Sequence, residues 1–243
     1  MGNQTKWKLD PFDTEILAVK SYKYSGGRTE SSGEFRSVAG KLGAGFYTVF
    51  IPVDQKKISI LEKSRFSLIN IRNTYVLEYT ASARRETAKN NSISFSKLAR
   101  KLTQEEMQVI AEPIWKVSRY HSDRMISDEK SLLLYRRWVE NSLYNGYAND
   151  SFVAWIEERI AGLCTVRIIE DEGYIDLLGV LPEYQGHAIG SYLMEKATAY
   201  LRKQHLRKIL VVTEGENIPA NRFYQKNGFI IRNVELVYHC HEQ

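Results

Sequence analysis

The most constraining feature of the chain is the segment VLPEYQGHAIGSYLMEKA (180–197), where a strand must give way to a helix within a few residues. Leu181-Pro182 ends the strand and a helix begins near Gly190. Between them the small residues Gly186, Ala188 and Gly190 let the backbone approach a ligand closely. Successive N–H groups of Gly186, His187, Ala188, Ile189, Gly190 and Ser191 then point out of a helix start. Unpaired donors and the positive end of the helix dipole suit such a place to an anion such as a pyrophosphate. Gln185 is placed to hold the loop in shape. Taken alone, the segment reads equally well as a plain strand–turn–helix.

A second segment, ENIPANRFYQKNGF (216–229), narrows the choice. Asn217 is a helix cap and Pro219 fits the first turn. Ala220, Tyr224 and Asn227 lie along one helix face, and Gly228 ends the helix in the left-handed manner. Upstream, Thr103 with Glu106 forms a capping box that opens a helix through about residue 117. Asp128 is read as the cap of a second helix, in which Leu132, Tyr135, Trp138, Val139 and Leu143 recur at helical spacing up to Asn145-Gly146. Strands are expected at 151–157, 159–170 and 174–181, a helix at 190–204, a strand at 208–214, a helix at 219–227 and a strand near 229–238. The order ααβββαβαβ is a mixed α/β layer architecture.

The first 80 residues differ in texture. Strand-like runs (45–53 and 74–79) alternate with a turn-rich stretch at 25–33, and the polar stretch 81–97 reads as a loop or linker. A smaller N-terminal region over 1–90 and a main domain over 91–243 are therefore expected. A faint echo links them: residues 61–79 align with 224–239, and 45–54 with 208–217. Leu61 stands where the second copy has Tyr224, and Asp54 where it has Asn217, so the N-terminal region reads as a degenerate half-copy used for packing; chance similarity is an equal alternative.

Hydrophobic residues make up 43% and charged residues 26% of the 243 residues, ordinary for a globular protein. No apolar run approaches the ~20 residues of a membrane span. The opening MGNQTKWKLD lacks the apolar stretch of a signal peptide, and Lys6 stands where a myristoylation motif wants Ser or Thr. Cys164 and Cys240 fit neither a disulfide framework nor a metal motif, so a reduced, cytoplasmic protein is expected. The net charge of +5 suits a phosphate-rich small molecule. The basic clusters at 83–85 and 202–208 read as solvated faces, so neither nucleic acid nor membrane is expected as a partner.

Residues 180–197 resemble motif A of the GNAT (GCN5-related N-acetyltransferase) superfamily, (Q/R)-x-x-G-x-(G/A), and 216–229 resemble its motif B, in the right order. The motif's central glycine is Ala188 here; its methyl narrows the approach but keeps the N–H. The resemblance implies a GNAT fold, an α/β mixed central sheet flanked by helices, preceded by a smaller degenerate GNAT-like region. It also implies acyl-CoA as co-substrate and no metal. Leu178, Gly179 and Val180 would splay from a neighbouring strand and bond the pantetheine arm, and an N–H of Gly179 or Val180 would face the thioester carbonyl. Asn217 and Asn221 would help hold the cofactor, and Tyr224 would protonate the departing thiolate; a core tyrosine is its plain reading. Small residues at Gly179 and Cys164 would leave room for more than an acetyl group.

The general base is open among Asp176, Glu214, His121 and water. Asp176 is expected to share the strand face of Leu178. The polar loop SRYHSD (118–123) would line the acceptor site: Arg119 on a phosphate, Tyr120 stacked on a base, His121 or Asp123 on the amine, with Asn141 and Glu214 nearby. An exposed loop and solvated carboxylates are the plain alternatives. Trp7, Asp10, Phe12 and Asp13, the SRY before the second helix, and VYH (237–239) resemble TDP-fucosamine acetyltransferases and related N-acyltransferases of dTDP-linked amino-dideoxyhexoses. That resemblance implies a nucleotide-linked amino sugar as acceptor. A protein or peptide N-acetyltransferase and a non-catalytic acyl-CoA sensor are the rivals, and a homodimer is compatible with the sequence.

Overall fold

The computed structural model describes residues 6–24, 42–78, 94–96 and 100–242. The turn-rich stretch at 25–33 and most of the polar stretch at 81–97, with its basic cluster at 83–85, lie outside the described residues. The N-terminal elements are β1 (Trp7–Leu9), α1 (Pro11–Leu17), β2 (Ser21–Tyr24), β3 (Gly45–Ile51), α2 (Gln55–Lys63) and β4 (Ser67–Glu78). After β5 (Ser94–Ser96) come α3 (Gln104–Trp115), the single turn α4 (Arg119–Ser122) and α5 (Asp128–Tyr144). The rest is β6 (Asp150–Ile156), β7 (Arg159–Ile169), β8 (Glu172–Val180), α6 (Ile189–Lys203), β9 (Lys208–Glu214), α7 (Ile218–Lys226) and β10 (Ile230–Glu242).

Local chemistry accounts for most of these boundaries. The Thr103 hydroxyl accepts from the Glu106 N–H at 3.1 Å while the Glu106 carboxylate accepts from the Thr103 N–H at 2.9 Å, the reciprocal box that starts α3. The second long helix is capped by Ser127, whose hydroxyl accepts from the Lys130 N–H. Asp128, read from sequence as the cap, instead falls in the first helical turn, where its charge complements the dipole. On α6 the buried residues Ile189, Leu193, Met194, Ala197 and Leu201 recur at three- and four-residue steps. Each large one contributes ~1.5–3 kcal/mol on burial. They pack on β6, β7 and β8, in one cluster with Val166, Ile175 and Val211.

Ten strands among the described residues form one sheet, in the order β1-β2-β3-β10-β4-β9-β8-β7-β6-β5. β10 lies antiparallel between β3 and β4, so residues on both sides of position 90 share a sheet. The sequence echo acquires a geometric form here. β3, α2 and β4 match β9, α7 and β10 at a constant separation of 163 residues (45 to 208, 55 to 218, 67 to 230). Their neighbours match as well. β3 pairs in parallel with β2 at Phe46, Tyr47 and Thr48, and β9 pairs in parallel with β8 at Ile209, Leu210 and Val211, the same positions 163 residues on. Each copy's closing strand crosses to the other copy's inner strand: β10 pairs with β3, and β4 with β9. From β1 across to β7 the sheet order is palindromic about the β10–β4 contact, with β6 and β5 added beyond β7.

Three apolar clusters support this sheet. One lies under α3 and α5, a second under α6 and α7, and a third between α2 and the β3–β10 pair. No helix among the described residues is long and apolar enough to cross a membrane.

Candidate active site

β8 and β9 stay in register only at three pairs, Gly173 with Ile209, Tyr174 with Leu210 and Ile175 with Val211. The divergence has a local cause. On its other side β8 pairs with β7 as Val166 with Ile175 and Thr165 with Leu177, so Asp176 is an extra, bulged residue. The Leu177 N–H, displaced from the ladder, donates to the Thr165 hydroxyl at 3.1 Å. A bulge of this kind bends its strand, and 176–180 run on without a partner on the β9 side. Leu178, Gly179 and Val180 there line a cavity of about 480 Å³.

The mouth of this cavity is the loop 182–188. A short 3₁₀ turn at Pro182–Tyr184 leads to Gln185, whose side-chain amide donates to the Val180 carbonyl at 3.1 Å and braces the loop as expected. The His187 ring bonds the Gln185 carbonyl at 3.0 Å, so the imidazole serves the loop itself. Gly186 and Ala188 both take left-handed backbone angles, φ 82° and 62°. Ala188 is the N-cap of α6 and offers no side-chain acceptor, whereas α1, α2, α3, α4, α5 and α7 each start on a capping side chain. The first N–H groups of a helix have no intrahelical partner. At Ile189, Gly190 and Ser191 those groups stand beside the open loop, a fit for a pyrophosphate.

The far wall is α7. Asn217 caps it, its side-chain oxygen accepting from the Ala220 N–H at 3.2 Å and its amide donating to the Thr213 hydroxyl at 3.3 Å. Tyr224 lines the cavity from the next turns and is 5% exposed. Burial lifts its phenol well above the ordinary tyrosine range, so it carries its proton throughout the neutral range. The wall also contains residues that motif spacing did not single out: Pro113 of α3, Tyr184, Phe223 and Lys226. Phe223 was recoverable, since it lies on the helix that carries Tyr224. Pro113 comes from a remote helix and was not.

Two carboxyls flank the region where the strands part. Asp176 accepts from the Trp138 indole N–H at 2.9 Å and has Arg167 at 3.8 Å; burial outweighs both and raises its pKa above 3.8. The bulge turns it toward Trp138 of α5, while Leu178 faces α6 and α7. The expected sharing of one strand face fails for that reason. Glu214, at the end of β9, is also raised by burial, against the opposing charges of Arg119 and Arg72.

The loop 118–123 differs most from expectation. Ser118 caps the turn α4, and Tyr120 points inward, 2% exposed, donating to Asp13 at 2.6 Å. It cannot stack on a nucleotide base. Arg119 bonds the Tyr120 hydroxyl, lies 3.9 Å from Asp13 and covers the Tyr120 ring at 4.2 Å, so its charge is answered within the fold and not held out for a phosphate. Asp123 is 2% exposed and accepts from His239 and His241, which removes it from any sugar amine. His121 bonds Asp128 at 3.1 Å and sits edge-on to Trp115.

Two further candidates turn out to be braces. Asn141 accepts from the Asn145 amide and ends α5. The buried Asn221 donates to the Glu214 and Asn217 carbonyls and accepts from Asn73 and Tyr75 of β4. It ties the β9–α7 turn to the N-terminal copy and is no part of the cavity wall. The room foreseen beside Gly179 is also filled: a Cβ there would stand 2.9 Å from Ile114. Cys164 is fully buried, with its thiol pushed far up by burial.

A strand edge opened by a bulge, a slim loop of N–H donors and a tyrosine wall are the features that the resemblance to the GNAT fold implied. Residues 114–229 match the model described as the Acetyltransferase (GNAT) family. A GCN5-related N-acetyltransferase from Sphaerobacter thermophilus superposes over 82% of this chain and 60% of its own, with a TM-score of 0.59 at 12% identity. The chain is similar to the spore coat polysaccharide biosynthesis protein SpsD of Bacillus subtilis, 28% identical over 50% of this chain and 42% of that protein. It is also similar to N-alpha-acetyltransferase 30 of Saccharomyces cerevisiae, 34% identical over 31% of this chain and 43% of that protein. The matches span less than half the length of these two relatives.

Proposed function

We propose that the protein is an acyl-CoA-dependent N-acyltransferase whose acceptor is the amine of a nucleotide-linked amino sugar of the dTDP-amino-dideoxyhexose kind. The observation that carries the transferase reading is the single cavity joining the open edge of β8, the uncapped start of α6 and Tyr224. The pyrophosphate rests on the N–H groups of 186–191, and the pantetheine arm runs along 178–180. The neutral amine attacks the thioester carbonyl carbon, and a strand N–H at Gly179 or Val180 meets the developing oxyanion. Collapse breaks the C–S bond, and the Tyr224 hydroxyl delivers its proton to the sulfur. Asp176 takes the amine proton, directly or through water, a role suited to a carboxyl held above its ordinary pKa. Glu214 lies on the acceptor side, where the strands have parted.

The sugar acceptor rests on the motifs at the chain's opening and close and on the similarity to a polysaccharide biosynthesis protein. Asp13, Tyr120 and His239 from those motifs are buried and bonded within the fold, Tyr120 to Asp13 and His239 to Asp123, so they bear on the fold more than on the sugar. The similarity to an N-alpha-acetyltransferase favours a peptide amine as the second reading. Acetyl-, propionyl- and hydroxybutyryl-CoA assayed against dTDP- and UDP-amino sugars and against peptide amines decide between them. Acylation of a nucleotide amino sugar is the expected result; acylation of peptides alone transfers the protein to the second reading. Absence of any CoA-induced rise in melting temperature rejects the acyl-CoA site itself.

A further inference from the structure

We propose that Asp123, His239 and His241 form a site for one divalent metal ion of the zinc class, fastening the C-terminal strand to the connection between α4 and α5. His239 and His241 are two apart on β10, so both imidazoles leave the same face of the strand. Cys240 between them faces the other way, toward Glu242. Asp123 reaches this face from the α4–α5 connection. Its Oδ2 lies 2.7 Å from His239 Nδ1 and 2.8 Å from His241 Nε2, and the three ligand atoms fall within 4.8 Å of one another. Two imidazoles and a carboxylate are a donor set for a borderline-soft divalent ion. Metal bonds of ~2.0–2.2 Å place ligand atoms slightly farther apart than this, so the cluster must open by about half an ångström.

Burial and charge support the assignment. The Asp123 and His239 side chains are 3% and 1% exposed, whereas His241 is 25% exposed and leaves a solvent side for a water ligand. Among the described residues no Lys or Arg pairs with Asp123; its partners are the Met125 N–H and the two imidazoles. A buried carboxylate calls for compensating charge. The nearby Arg119 is engaged with Asp13 and Tyr120. The Phe46 ring packs against both imidazoles, at 4.8 and 4.9 Å, and supplies the apolar shell that a structural ion sits in. The ion would serve the fold and takes no part in acyl transfer.

The test uses the full chain with any affinity tag removed, stripped with a chelator and then titrated with Zn²⁺. Wild type and His121→Ala should each bind one equivalent and gain melting temperature; His241→Ala should bind about tenfold or more weakly and gain correspondingly less at the same Zn²⁺ concentration. Should His241→Ala misfold, Asp123→Asn provides the same comparison with the shape retained, and Co²⁺ absorption reports the histidine ligands directly. Failure of the wild type to bind Zn²⁺, or equal affinity in a folded His241→Ala or Asp123→Asn variant, overturns the proposal.

Discussion

Residues 45–78 and 208–242 build the same strand–helix–strand unit twice, and the second copy borders the cavity of about 480 Å³. In the second copy, β9 faces a strand that bulges at Asp176, continues unpaired to Val180 and leads into an uncapped helix. In the first copy, β3 faces β2 (Ser21–Tyr24) through the same three parallel pairs. The equivalent helices diverge accordingly. Asp54 closes the start of α2 by accepting from both the Lys56 and Lys57 N–H groups, while Asn217 caps α7 at the cavity edge. Leu61 is fully buried where Tyr224 lines the cavity. Glu214 occupies the position of Ile51. The frame thus fixes the positions, and the adjoining strand decides whether a position packs into the core or faces the cavity.

The sharpest break of this equivalence is the pair Tyr224→Phe and Leu61→Ala. Tyr224→Phe should lower kcat roughly tenfold to a thousandfold with the KM for acyl-CoA nearly unchanged. Leu61→Ala should cost about 2–5 kcal/mol in denaturant melts and leave turnover per folded molecule intact. Turnover of Tyr224→Phe within about twofold of wild type would make the two positions equivalent after all. Next in size, Gly190→Val should weaken acyl-CoA binding by on the order of tenfold by calorimetry. A Cβ there meets Phe223 at 3.5 Å, an ordinary contact, so the larger side chain is directed into the cavity and the fold survives.

The caps give a smaller contrast. Asp54→Ala and Asn217→Ala should each cost ~1 kcal/mol of stability, and only Asn217→Ala should also reduce acyl-CoA affinity. Both helices end on a left-handed residue, Arg65 in the first copy (φ 63°) and Gly228 in the second (φ 87°). Arg65→Gly should stabilise and Gly228→Ala destabilise, each by about 1 kcal/mol, and equal signs would deny the equivalence. The smallest effect concerns Glu214, whose folded pKa lies above 4.5. Such a carboxyl favours folding while protonated; that contribution is present below the unfolded value and lost as pH rises through the folded one. Glu214→Gln should therefore be more stable than wild type at neutral pH, with the gain vanishing near pH 4.

Much of this was legible in the chain because it rests on local rules. The capping box at Thr103, the loop at 186–191, the cap at Asn217 and the turn at Gly228 are short-range decisions of backbone geometry, and each stands where the sequence places it. The candidate residues that moved did so through contacts distant in sequence. Tyr120 is drawn inward by Asp13, 107 residues away, and Asp123 by His239, 116 residues away. Asn221 is held away from the cavity wall by Asn73 and Tyr75 of the other copy. Asp176 changes face because a bulge, set by its pairing with β7, adds one residue to a two-residue alternation.

The sequence by itself determined the order of elements, the small-residue helix start that suits an anion, and the tyrosine one helix beyond it. These follow from dihedral preferences, capping and side-chain periodicity, which act over a few residues. Only the tertiary structure decided which polar side chains face the cavity and which satisfy one another inside the fold. A buried charge or hydroxyl takes whatever partner the packing brings within reach, and here that partner comes from the opposite end of the chain.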